Sequence, residues 1–350
     1  MTAAARFSVP FIVAFMIAGL WGGLSRWIFE LPVLPTLRLY HGPLLAGLIF
    51  PALIAAERAV AIGKWWAWSA PLAAISGVIG VFISPKLLTP SMLLTVVCLL
   101  AQQIALWWRS PGVDGEMGVA SGMALGIADL TWIRGSGYNE SALGWACFLI
   151  LLICAERLEL SFLGRSRAPA RSVYVVMLGG LLAQSARVVG LSWLILALWL
   201  VRRDLARRNA RRSGLPAFCA RAILVGYAWL TFAGLHLCLA GTTADNFDYV
   251  FHAVFVGFVL SMVMAHGPII FPALLRCSMR FTALFYVPLM VLHLSLILRF
   301  SGWRVEGGVG NFIAFMLFIL TGGYHGGGSG KPWSTNASDQ AALLTNKPSG

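Results

Sequence analysis

Residues 248–275, DYVFHAVFVGFVLSMVMAHGPIIFPALL, decide the fold class. The stretch exceeds the roughly 20 apolar residues that a helix needs to cross a bilayer. Beyond Asp248 at its start, the side chains in it that titrate near neutral pH are two histidines, His252 and His266. Fourteen residues of α-helix would set the two rings roughly 21 Å apart along the axis and within about 40° of the same face. An ionisable group inside a membrane span is costly, so such a residue is a functional hypothesis by default.

The rest of the chain follows the same pattern. Its 350 residues are 59% hydrophobic and 11% charged, with a mean hydropathy of +0.81. Soluble domains carry about 25% charged residues, so the composition predicts an all-α, polytopic transmembrane helix bundle. The expected spans are about twelve: 8–29, 41–61, 66–85, 92–108, 116–134, 142–163, 172–187, 189–203, 218–240, 248–273, 281–300 and 309–323. The seventh and eighth are short and meet near Gly190, as a tight hairpin or as one long helix. Residues 1–323 form the transmembrane domain. Residues 324–350 are a Gly/Ser-rich tail, flexible alone or ordered on a partner subunit.

The net charge of +13 does not indicate nucleic acid. With both termini placed in the cytoplasm, 19 of the 26 Lys and Arg fall on the inner side and 7 on the outer, RRDLARRNARR at 202–212 being the largest basic run. The expected location is a bacterial inner membrane, with the lipid bilayer as the main partner. No small-residue cleavage site follows the first apolar run, which reads as a retained helix. The six cysteines form no CxxC pair, which argues against a disulfide framework or a structural zinc site.

On this topology four histidines fall in the outer half, on four helices: His41, His236, His252 and His293. His266 lies toward the cytoplasm. Neutral imidazole is a common ligand of metals and haem iron, so these four are candidate metal ligands. The bland alternative at each is interhelical hydrogen bonding. Pro268 is expected to kink its span beside His266. Glu57-Arg58 and Glu156-Arg157 lie toward the cytoplasmic ends of spans two and six; Glu57 with Arg157 or Glu156 with Arg58 would clamp the helices, or the carboxylates would serve a proton route. Asp129, deep in span five, would pair with Arg134 or Arg187 or accept from a ligating histidine. No Walker loop, HExxH or Ser/His/Asp arrangement is present, and nothing requires catalysis.

The architecture, the histidine opening span two and the helix HAVFVGFVLSMVMAHGP together resemble the NnrS-type membrane proteins. That resemblance implies haem b and/or copper, with His41, His252 and His266 as cofactor-binding residues, and a role in nitric oxide or nitrite response or detoxification. NnrS-type second spans open with two nearby histidines, where this chain has His41 followed by Gly42-Pro43. YHGPLLAGLIFPALIAAERAVAIG and AHGPIIFPALL also look like a sister group of bacterial membrane proteins of unknown function. A different class of reading is a non-catalytic subunit of a larger membrane complex, with structural histidines and a tail that docks on other membrane subunits. A transporter or a haem–copper oxidase fits less well, for want of an inverted repeat and of an adjacent histidine pair.

Overall fold

A computed structural model describes the backbone of residues 2–135, 138–161, 168–275 and 281–326. Side chains are described within those limits, except at 2–6, 160–161, 168–169, 244–245, 273–275 and 323–326. All regular structure among the described residues is helical. In chain order the helices are α1 (Thr2–Leu24), α2 (Pro35–Ile62), α3 (Trp65–Ile83), α4 (Pro85–Arg109), α5 (Val113–Ile133) and α6 (Tyr138–Ser161). They continue with α7 (Ala168–Leu182), α8 (Ala186–Arg203), α9 (Gly214–Ala240), α10 (residues 244–275), α11 (Ala283–Phe300) and α12 (Arg304–Gly326). A single helical turn, Ala206–Asn209, bridges α8 and α9. Nine of these helices are long and apolar enough to cross a membrane among the described residues. The architecture is that of a polytopic membrane protein.

The interior is organised around α6. Residues 141–155 of that helix are all buried. A helix that is apolar on every face belongs in the centre of a bundle. α2 and α10 run beside α6, and these three helices line both of the cavities described below. Consecutive helices pack as neighbours elsewhere, α5 on α6, α8 on α9 and α11 on α12.

Three expectations are revised by local physics. The second span begins at Pro35 rather than His41, because Pro at the first helical position loses no hydrogen bond there. His41 therefore sits nearly two turns inside α2. Spans seven and eight are two helices, and the break falls at residues 183–185, where Gln184 takes a left-handed φ of 55°. Gly190 lies inside α8 instead: a Cβ there would sit 2.5 Å from the backbone nitrogen of Cys238. It is a close-approach glycine between α8 and α9, not a turn glycine. Finally, α10 runs through Pro268 and Pro272 to Leu275. Its irregular part comes earlier, as a π-helical segment at Ala253–Leu260.

The five described cysteines are free thiols. Cys277, the side chain of His325 and the tail from residue 327 lie outside the described residues, as does any partner contact expected of that tail.

Candidate functional site

α2 and α10 share an unusual local design. In α2 a π-helical segment, Leu45–Ile49, begins four residues after His41. In α10 the π segment begins directly after His252. π turns are rare and cluster at functional sites, because the extra residue re-aims the side chains around it. Here both histidines open onto one cavity of about 390 Å³. That size falls within the range of small-molecule and cofactor pockets.

The two rings are held in the same way. His41 Nδ1 lies 3.4 Å from the Arg38 carbonyl oxygen. His252 Nδ1 lies 3.1 Å from the Asp248 carbonyl oxygen and 3.1 Å from Asp248 Oδ1. Facing oxygen acceptors, each Nδ1 must carry the proton in the neutral ring, which leaves the Nε2 lone pair free. Neither Nε2 has a protein partner among the described residues. A histidine tied through Nδ1 to a carbonyl or carboxylate, with Nε2 bare, is the usual arrangement of a metal-ligating imidazole.

The surrounding charge is ordered. Arg299 on α11, 5% exposed, makes a two-pronged contact with Asp248: Nη2 to Oδ1 at 2.6 Å and Nε to Oδ2 at 3.0 Å. Its guanidinium also lies 5.7 Å from the centre of the Trp27 ring. Arg26 is an exposed cation on the same cavity, with no anion beside it among the described residues. Tyr138 and Trp145 of α6 and Asn311 of α12 complete the polar lining. Tyr138 approaches the α2 backbone so closely that a Cβ on Gly42 would sit 1.7 Å from its phenol oxygen. The HGP sequence thus places a histidine on the cavity and a bare backbone under the tyrosine.

His236 and His293, the other two candidate metal ligands, lie elsewhere. His236 Nδ1 faces Asn246 Oδ1 at 3.2 Å, and its ring stacks on Tyr249. His293 Nδ1 accepts from Trp229 Nε1 at 3.0 Å, so its proton sits on Nε2, which is buried without a partner. Of these four histidines, His41 and His252 line the same cavity, and His236 and His293 are not among its lining residues. Among the described residues no three His, Cys, Asp or Glu side chains converge as a metal site.

His266 lines a second, smaller chamber of about 70 Å³ near the other end of α2 and α10, with Glu57 and Glu156. Phe50 lines both cavities. Arg58 pairs with Glu156 at 2.6 Å, one of the two anticipated pairings. Arg157 goes instead to Asp204, through Nε to Oδ2 at 2.9 Å and Nη2 to Oδ1 at 2.7 Å. Tyr227 and the Ala206 N–H also donate to Asp204. Burial alone would raise the Asp204 carboxyl, but these donors and the Arg157 charge hold it below the usual carboxylate range. Asp129 meets neither Arg134 nor Arg187 nor a histidine among the described residues. It is fully buried and accepts from Trp145 Nε1 at 2.8 Å, behind the wall of the larger cavity, which Trp145 lines.

Sequence reasoning missed Asp204, the Asp248–Arg299 pair, Arg26 and Tyr138. Asp204 did carry a signal, as the lone acid in the basic run at 202–212. Arg299 carried none, since an arginine at a span end reads as an ordinary loop charge.

No curated protein and no solved structure matches the chain. A family model described as "Domain of unknown function (DUF8744)" matches residues 5–322, from the first helix almost to the end of the last. The chain with these two cavities belongs to that family.

Proposed function

We propose that the outer cavity holds a haem, ligated by His252 and facing His41, and that the protein binds nitric oxide there in a response or protective role. All twelve helices are then spans in a bacterial inner membrane, with both termini and the 202–212 basic run in the cytoplasm. The observation that carries this reading is the pair of bare Nε2 lone pairs on a single cavity of cofactor size. Haem suits that donor set better than a lone copper ion, because the macrocycle brings four nitrogens and asks the protein for one or two. The resemblance to NnrS-type proteins leads the same way.

Several lining residues have a part in this reading. Asp248 fixes the His252 tautomer and ring angle, and Arg299 holds Asp248 in place. Arg26 offers an unpaired cation for a carboxylate of the cofactor. The phenylalanines Phe247, Phe251 and Phe255 give an apolar wall. Bound haem would supply an iron coordination position for a small diatomic ligand.

The test is the absorption spectrum of detergent-purified protein, oxidised and reduced, with metal analysis of the same sample. The expected result is a Soret band that shifts on reduction and on nitric oxide addition, and that is lost in His252→Ala while the fold persists. A colourless, metal-free, well-folded preparation overturns the proposal and favours the non-catalytic subunit reading.

A further inference from the structure

The smaller chamber carries a separate inference, independent of any cofactor in the larger one. It is lined almost wholly by apolar side chains of α2, α6 and α10, yet three polar groups reach it: Glu57, Glu156 and His266. Two of the nearby charges are already committed, since Glu156 is paired with Arg58 and Arg157 with Asp204. Glu57 has no hydrogen bond or ion pair with any described residue. Its sequence neighbour Arg58 acts on it only through space, because adjacent helical residues point in different directions and the Arg58 guanidinium pairs with Glu156 on α6.

We propose that Glu57 and His266 form a proton-loading site, in which one proton is held on the Glu57 carboxyl or passed to His266 Nε2. A carboxylate with no ion-pair contact, among mostly apolar side chains and beside the second carboxylate of Glu156, is costly as an anion, and taking up a proton removes that cost. A proton is also the cation that needs only one carboxylate oxygen. A metal ion needs several donors, and no such group of three converges among the described residues. His266 is prepared as the second acceptor: its Nδ1 donates to the Met262 carbonyl at 2.8 Å, leaving Nε2 bare toward the chamber. The volume of about 70 Å³ exceeds the roughly 10–15 Å³ needed to seat a water, so the chamber that both groups line has room for water.

The charges that bear on Glu57 are those of Arg58 on its own helix and of Glu156 and the exposed Glu159 on α6. Those that bear on His266, across the chamber on α10, are Glu156 and Arg157 of α6 and Asp204 in the turn after α8. α1 contributes no titratable side chain among its described residues. The site sits on the two helices that carry His41 and His252, and Phe50 is the shared wall.

The full-length protein in detergent is treated with dicyclohexylcarbodiimide, an apolar reagent for protonated membrane carboxyls. The carboxyl proton moves to one carbodiimide nitrogen as the carboxyl oxygen bonds to the central carbon. The O-acylurea then rearranges to a stable N-acylurea, and nothing leaves. Peptide mass spectrometry should find the adduct on Glu57, fading as pH is raised. It should be absent in Glu57→Gln, while His266→Ala should shift the pH at which it fades. Thermal unfolding of each variant confirms that the fold persists. A folded protein with no adduct at Glu57, or with labelling that ignores pH, overturns the proposal. The state of the outer cavity does not enter this readout, so the haem reading can fail while this one stands.

Discussion

Asp248 and Arg299 are locked in a two-pronged ion pair across α10 and α11, and the Asp248 oxygen nearest the guanidinium, at 2.6 Å, also lies 3.1 Å from His252 Nδ1. The pair thus acts on the cavity through a third residue. Arg299 is nearly enclosed, whereas the Asp248 side chain retains 19% exposure. Removing one partner of a buried pair leaves the other charge uncompensated, at a cost of about 3–5 kcal/mol when both are fully buried.

Asp248→Asn should therefore destabilise the protein by about 2–4 kcal/mol, the partial exposure of Asp248 lowering the full buried-pair cost. Thermal unfolding in detergent measures it. Adding Arg299→Met should recover much of the loss, since the unpaired cation goes with it. If the double variant is no more stable than Asp248→Asn alone, the pair is not what stabilises this corner of the bundle.

Gly42 offers a steric test of the cavity wall. An alanine there would put its Cβ 1.7 Å from the Tyr138 phenol oxygen, so α2 and α6 must move apart or the tyrosine must leave. Overpacking of this kind costs about 1–3 kcal/mol. Gly42→Ala should show that loss in thermal unfolding, and Gly42→Ala with Tyr138→Phe should recover part of it. Equal stability of Gly42→Ala and the parent would mean that the contact relaxes at no cost.

The sequence foretold helices better than partners, for a physical reason. Apolar runs near 20 residues admit one structure in a bilayer, so α1–α4, α6 and α9–α12 could be placed from hydropathy alone. The π segments could not, because Leu45–Ile49 and Ala253–Leu260 look like any other apolar stretch. Those segments help determine which side chains meet. Hence His41 and His252 were legible as candidates, but their shared cavity was not, nor was the diversion of His236 and His293 into aromatic packing. The charge clamps were half legible: Arg58 with Glu156 followed from depth, whereas Arg157 with Asp204 joins a span to a loop residue that topology gave no reason to bring inward.

The Arg157–Asp204 clamp predicts an acid dependence. The folded-state carboxyl of Asp204 is depressed, so its contribution is present above the unfolded-chain value of about 3.9 and is lost as pH falls through the lower folded value. Asp204→Asn should lower the unfolding temperature at neutral pH, and the gap from the parent should narrow as pH drops below about 4. A gap that is constant with pH would assign the loss to packing around Tyr227 rather than to charge.

The separation of the histidines into two kinds gives the sharpest comparison. His236 and His293 are tied into Asn246, Tyr249 and Trp229, and neither lines the cavity that His41 and His252 share. His293→Phe strips Trp229 Nε1 of its acceptor, at a cost of about 1 kcal/mol. It should leave any cofactor absorbance and metal content at the parent level, and so should His236→Phe. His41→Ala and His252→Ala should alter both, with His252→Ala the larger because its ring is the one backed by Asp248. Absorbance per mole of folded protein across the four variants checks this. If His236→Phe or His293→Phe removes the absorbance while the fold persists, the binding site lies among the aromatic-packed histidines and the cavity assignment is wrong.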